Sequence, residues 1–245
     1  MALSWKRWFG LETTVPLPTR EGYAVWADTY PPRPHNRLMA AEQEIVEPII
    51  RLARPKRALD VGTGTGRYLS LLRAAGANFI VGVDLSLPML QHRQCQTPRV
   101  CGDACQLPFA DGQFDLVCSS LMAGDVADLG PWITEATRVL APGGHLVYSD
   151  FHPSWSSQQW RRTFRSADGR QFELSYYPHA IDDHLERLER AALEIRAIRE
   201  PRIAGRATPI VAIFHATKPA VETASSSRVP PSVHAATVSS RSRER

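Results

Sequence analysis

Ala58-Leu59-Asp60-Val61-Gly62-Thr63-Gly64-Thr65-Gly66-Arg67-Tyr68-Leu69 holds a strand end, a turn and a helix start in one short run. Arg57–Val61 is apolar and reads as a buried strand. Thr65–Ala75 reads as a helix closed by Gly76. Between them Gly62, Gly64 and Gly66 let the backbone approach a ligand without Cβ clashes. Such a strand-to-helix turn is shared by several nucleotide-binding folds, so the neighbouring residues must decide between them.

Two details do so. The dinucleotide fingerprint is G-x-G-x-x-G, and here the third glycine arrives one residue early. The strand also ends in Asp60, whose carboxylate would repel a pyrophosphate and suit an ammonium group. A second strand, Phe79–Val83, leads into Asp84, an acid placed to accept the hydroxyls of a ribose. A ligand with a ribose, a cation and no need of a phosphate site is expected, and S-adenosylmethionine answers to that description.

Five segments in order then carry a resemblance: Asp60–Gly66, Val83-Asp84-Leu-Ser, Gly102-Asp103-Ala104, Phe114-Asp115-Leu-Val, and Arg138-Val-Leu-Ala-Pro-Gly-Gly144. Together they resemble the ordered motifs of class I S-adenosylmethionine-dependent methyltransferases, of the small-molecule, type 11-like kind. The resemblance covers roughly Lys56–Asp150. It implies a Rossmann-like α/β fold with a seven-stranded, mostly parallel sheet, the last strand antiparallel and helices on both faces.

It also implies a cofactor-facing set. Asp60, Gly62, Thr63, Gly64 and Gly66 form the turn, and Asp84 with Leu85 sits at the ribose. Gly102, Asp103 and Ala104 sit at the adenine, where the acid accepts from the amino group. Tyr23-x-x-Trp26-Ala-x-x-Tyr30 resembles the segment that covers the methionine end in many relatives; a helix packing Trp26 on the sheet is the plainer alternative. Met89 is placed either near the adenine or in the core. Ser119–Asp125 lies beside the expected site of methyl transfer, and Asp125 stands where many relatives have His.

Composition sets the remaining bounds. A chain of 245 residues with 43% hydrophobic and 22% charged residues suits one α/β domain with additions. The net charge of +4 resides mostly from Lys218 onward, where five basic residues face two acids, so it gives no argument for nucleic acid. Cys95, Cys101, Cys105 and Cys118 show no C-x-x-C pair and read as reduced, buried thiols, with no metal site expected. The start, with Trp5, Trp8 and Phe9 around Lys6 and Arg7, lacks the apolar core of a signal peptide, and no apolar run is of spanning length. A cytoplasmic protein is expected.

Residues 1–35 are read as an arm and cofactor-covering segment, 36–217 as the methyltransferase domain, and 218–245 as a disordered tail rich in Ser, Ala, Pro and Arg. Asn36 caps a helix to about Ala53 with Leu38, Ile45, Ile49 and Leu52 on its apolar face. Ser86 caps a helix over Leu87–Arg93. Strands are expected at Arg99–Cys101, Phe114–Cys118 and His145–Phe151, the last entered through a Pro142-Gly143-Gly144 turn, with a helix over Leu129–Leu140 before it. Residues 153–179, rich in aromatics and arginine, read as a substrate lid or as an added hairpin with solvated arginines. A helix over Ala180–Ala192, with Leu185, Leu188 and Ala192 inward, precedes strands Glu194–Ile203 and Thr208–Thr217.

The expected chemistry is in-line methyl displacement, in which much of the rate comes from positioning in a dry site. A hydroxyl acceptor gains from a base, whereas a carboxylate needs none. Candidate bases are His152, His179, His35 and Asp125, and candidate substrate contacts are Phe151, Trp155, Arg161, Arg162 and Tyr177. The acceptor is read as a small molecule, acidic or carrier-bound, methylated at oxygen. A nucleic-acid or protein methyltransferase, or a cofactor-binding protein without turnover, are the alternatives.

Overall fold

The computed structural model describes residues 14–91, 96–158, 160–203 and 205–220. The expected tail from 221 onward, the arm before Thr14, and Cys95 lie outside the described residues. The decisive stretch folds as read. β2 (Arg57–Val61) runs into the glycine turn and then into α3 (Arg67–Ala74). α3 begins two residues later than its sequence suggests, because Gly66 takes the left-handed region at φ 95° and serves as its N-cap.

Around β2 a seven-stranded sheet is laid out in the order β4-β3-β2-β5-β6-β10-β9. Its strands are β3 (Phe79–Asp84), β4 (Arg99–Cys101), β5 (Phe114–Ser119), β6 (Leu140–Phe151), β9 (Glu194–Arg199) and β10 (Val211–Thr217). β10 is antiparallel to both β6 and β9, and the other adjacent pairs are parallel. The sheet is buried on both faces because its strands alternate which face each apolar residue serves. Leu59, Leu146 and Phe214 pack under α5 (Leu129–Val139) and α7 (Ile181–Arg190). Ala58, Val147 and Ile213 pack under α3 and α2 (Arg37–Ala53).

Several boundaries differ from the sequence reading, each for a local reason. In α2 the buried stripe is Met39, Glu42, Val46 and Ile50, one residue round from that expected. Leu38, Ile45 and Ile49 flank it half-buried, and Leu52 is 80% exposed. The helix turns to bring Glu42 inward, while Asn36 caps it by accepting from the Met39 amide at 2.8 Å. β9 and β10 stop short of the expected ends because Pro201 and Pro209 donate no ladder hydrogen bond.

The Pro142-Gly143-Gly144 segment belongs to β6, which starts at Leu140 and shifts register against β5 between Phe114 and Leu116. Lys218 is anchored to that bulge rather than part of a tail: it exchanges backbone bonds with Gly143 and Gly144, and its ammonium donates to Thr137 O and Leu140 O at the end of α5. α4 is short, Leu87–Leu90, and the Ser86 side chain makes no cap to it. In α7, Leu188 and His184 are buried while Ala192, past its end, is exposed at φ 55°. Cys118 is buried, but Cys101 on the edge strand is exposed.

After β6 the chain inserts α6 (Ser154–Ser157) and the hairpin β7 (Thr163–Arg165) and β8 (Gln171–Leu174). β8 also pairs in parallel with β1 (Val15–Leu17), forming a second, three-stranded sheet that was not foreseen. Phe164, Phe172 and Leu174 give it a small core against Tyr23, Val25 and Trp26 of α1 (Thr19–Trp26). No helix among the described residues is long and apolar enough to cross a membrane.

Candidate active site

A cavity of about 830 Å³ opens above the carboxyl ends of β2, β3 and β5, under α1 and the insertion. Ligands of open α/β sheets collect at this position. On one side it is lined by the glycine turn and three aspartates. Asp84 accepts the Gly64 amide at 2.8 Å and the Ser86 amide at 2.8 Å, so one carboxylate ties the turn to the end of β3. Asp60 accepts from Thr63 Oγ1 at 2.7 Å and faces the Cys118 thiol at 3.6 Å. Burial raises its pKa to about 7, with Thr63 and Arg67 opposing the rise. Burial likewise raises Asp84, against the two amides that lower it. Asp103 is exposed and accepts the Cys105 amide at 2.8 Å, which closes the loop after β4.

The fit of this side to S-adenosylmethionine can be tested on the structure itself. Gly64 sits at φ 55° with open space where a Cβ would project, so its backbone faces the cavity bare. A Cβ at Gly62 would lie 2.6 Å from Met122 and is excluded. Thr65 Oγ1 and Ser86 Oγ are buried without a hydrogen-bond partner, and both residues line the cavity. Buried polar atoms are rarely left so unless a ligand or water meets them. Carboxylates beside a guanidinium, Arg67, that is already engaged by Glu42 and Ser120, together with spare hydroxyls, suit an ammonium and a ribose. The residues fit the group.

The cavity's other side is aromatic and ion-paired. Arg162 Nη1 donates to Asp125 at 2.7 Å and Nη2 donates to the Tyr23 hydroxyl at 2.6 Å, all three residues lining the cavity. Arg162 thus joins three separate segments: β7's approach, the 3-10 turn Ala123–Asp125, and α1. Its guanidinium also lies 5.4 Å from the Tyr23 ring centre and 5.3 Å from that of Phe151. Burial raises the Asp125 pKa, with Arg162 and Tyr23 opposing the rise. Trp26 stacks on Phe164 at 4.7 Å and meets Tyr30 edge-on at 4.8 Å, which places Tyr23, Trp26 and Tyr30 together in the cavity wall.

Among the sequence candidates, Leu85, Met89, Gly102, Ala104, His35, Trp155 and Arg161 also line the cavity. His35 is packed edge-on against Trp26 and Tyr30, and burial lowers its pKa. Five candidates are not among the lining residues. Gly66 is consumed as the N-cap of α3, and Ser119 is buried within β5. His152 turns away because its ring is fixed between Glu200 Oε1, 2.8 Å from Nε2, and the Ser154 amide at Nδ1. His179 Nε2 is 2.9 Å from Val126 O, behind the site. Tyr177 is 47% exposed, with its amide bonded to Gly124 O at 2.7 Å.

Two buried polar hubs lie behind the cavity wall. Glu42, fully buried on α2, accepts from the Tyr68 hydroxyl at 2.5 Å, Ser120 Oγ at 2.8 Å, Ser149 Oγ at 2.8 Å and Arg67 Nη1 at 3.0 Å. Arg67 Nη2 also donates to Ser120. Loss of any one of these donors would leave a buried carboxyl oxygen under-bonded. A second hub lies behind Asp125: Asp150 Oδ1 accepts the Gly124 amide at 3.1 Å and the Phe151 amide at 2.7 Å. Its Oδ2 lies 3.5 Å from His184 Nε2, while His184 Nδ1 lies 3.2 Å from the Tyr148 hydroxyl. Asp150 lies at the site end of the expected strand His145–Phe151, while for Glu42 and His184 the sequence signal was a polar residue at a core-facing position of α2 and of α7.

Comparison with known proteins agrees with this geometry. Residues 59–148 match a family described as "Methyltransferase domain". A demethylmenaquinone methyltransferase of Thermus thermophilus is 42% identical over 108 residues, covering 40% of this chain and 49% of that protein. A malonyl-acyl-carrier-protein O-methyltransferase of Erwinia pyrifoliae is 33% identical over 149 residues, covering 57% and 56%. The chain spans about half the length, or less, of the curated relatives it matches first. A solved structure described as a putative S-adenosylmethionine-dependent methyltransferase from Listeria monocytogenes superposes with a TM-score of 0.61 at 19% identity, over 73% of this chain and 98% of that one. With the motifs, the sheet order and the domain match in agreement, residues 59–148 match a methyltransferase domain and resemble the class I S-adenosylmethionine-dependent family, whose fold the sheet shares.

Proposed function

We propose that this protein methylates an oxygen atom of a small molecule held in the aromatic half of the cavity, with Asp125 taking up the proton of a hydroxyl acceptor. The observation that carries the reading is that one continuous cavity has the Asp60, Asp84 and Asp103 carboxylates on one side and the Asp125–Arg162–Tyr23 cluster on the other. When bound, S-adenosylmethionine supplies a methyl group already activated on a sulfonium. Asp84 and Asp103 hold its nucleoside, Asp60 faces its ammonium, and Tyr23, Trp26 and Tyr30 exclude water from its methionine end.

Asp125 and His35 are the two candidate bases that line the cavity. Asp125 is favoured because burial raises its proton affinity while Arg162 and Tyr23 fix its orientation. His35 is packed among rings, and its burial disfavours the charged form. Residues 153–179 act as the lid, carrying Arg162 onto the site. Relatives named as malonyl-acyl-carrier-protein O-methyltransferases support a second acceptor class, a carboxylate on a carrier, for which no base is required.

The test is transfer of a labelled methyl group to a panel of phenols and carboxylic acids by wild type and Asp125→Asn. Loss of about a hundredfold in kcat on phenols with carboxylates little changed supports the assignment. Equal effects on both classes would remove Asp125 as the base. Tight cofactor binding with no methylated product from any acceptor would overturn the activity.

A further inference from the structure

Resting on the reading of the aspartate-lined side as the cofactor's, the geometry points to an acceptor of defined chemistry at the opposite end: a planar aromatic molecule bearing an anionic group. Its ring lies along Phe151, Trp155 and Trp160, and its anion meets Arg206. All four residues line the same cavity.

The three rings form a continuous edge-to-face wall, 4.7 Å from Phe151 to Trp155 and 4.6 Å from Trp155 to Trp160. The wall is fixed rather than adaptable. Trp155 Nε1 donates to Ile210 O at 2.7 Å, and the Trp160 amide bonds to Trp155 O at 3.2 Å. With its polar edge already bonded to the main chain, Trp155 has only apolar and π surface left to contribute. Rigid aromatic walls select flat ligands by dispersion and edge-to-face contact at little entropic cost.

Charge pairing decides the second half of the inference. Arg161 and Arg162, on the same lip, are matched by Glu173 and Asp125. Arg206 has no ion pair among the described residues; its guanidinium lies 3.9 Å from the Trp160 ring centre. A guanidinium stacked on indole keeps its full charge while presenting its in-plane N–H groups outward. A carboxylate or phenolate carried on the ligand ring can take those donors in the plane, while its ring stays against the wall. A cationic acceptor is disfavoured at the same point by like charge.

The experiment is calorimetric titration of the full chain with 2-naphthoate, 2-naphthalenemethanol and decanoate, each with and without saturating S-adenosylhomocysteine. These probes offer ring plus anion, ring alone and anion alone. The expected result is that 2-naphthoate binds about tenfold or more tightly than either other probe. Arg206→Gln should erase its advantage over the alcohol, and Trp160→Leu its advantage over decanoate. Equal affinity for all three probes, or an advantage untouched in Arg206→Gln, would overturn the proposal. S-adenosylhomocysteine titration of the same samples separates the two claims. If it binds and the probe preference is absent, the acceptor class fails alone; if it does not bind, the cofactor reading fails while the probes still judge this one.

Discussion

At the scale of single residues, the acids of the cavity have distinct tasks that substitution separates. Asp84 uses both carboxylate oxygens on backbone amides, so it preorganises the glycine turn besides its proposed role at the ribose. Asp84→Ala should weaken S-adenosylhomocysteine binding about tenfold or more by calorimetry, since it removes charged hydrogen bonds from a partly buried site. Asp60 answers to pH instead. Its folded pKa of about 7 exceeds the ordinary unfolded value of about 4, so between them the native state holds a proton the unfolded chain has lost. Stability from this group is therefore present below pH about 4 and declines as pH rises to about 7. Asp60→Asn should become more stable relative to wild type across that window, by on the order of 2–4 kcal/mol, in urea unfolding at pH 4.5 and 8.

Secondary elements show most clearly what a linear sequence reveals. Strands β2 to β5 and the motifs at their ends were legible because each is local: an apolar run, a glycine, an acid at a fixed offset. The face of α2 was not, since Glu42 finds its partners 25, 26, 78 and 107 positions away. Hydrophobic periodicity cannot announce a buried carboxylate whose donors come from elsewhere. His152 was misplaced for the same reason, its direction being set by Glu200. The Arg162–Asp125 pair, 8% and 10% exposed, makes the nonlocal cost measurable. Asp125→Ala alone leaves a buried guanidinium uncompensated and should cost about 3–5 kcal/mol in denaturant unfolding. The double variant Asp125→Ala, Arg162→Leu should recover most of that loss, a coupling that an exposed pair would not show.

For the whole molecule, the consequence lies in the small sheet that joins the chain's beginning to its middle. Val15 pairs with Phe172 and Leu17 with Leu174, so the segment that leads into α1 and the insertion after β6 share one ladder. Removing residues 1–18 should bare β8 and loosen the β7–β8 hairpin, so that trypsin cleaves at its exposed Arg161, Arg165 and Arg170 about tenfold faster or more than in the full chain. On the lid reading proposed above, the shared ladder ties the cover over one ligand to the cover over the other. Entry and exit would then share a single gate, with donor and acceptor loading in one opening and both products leaving in the next. Solvent viscosity, which slows a swinging segment and leaves bond-breaking alone, should therefore slow kcat, whichever of the two products is the harder to release.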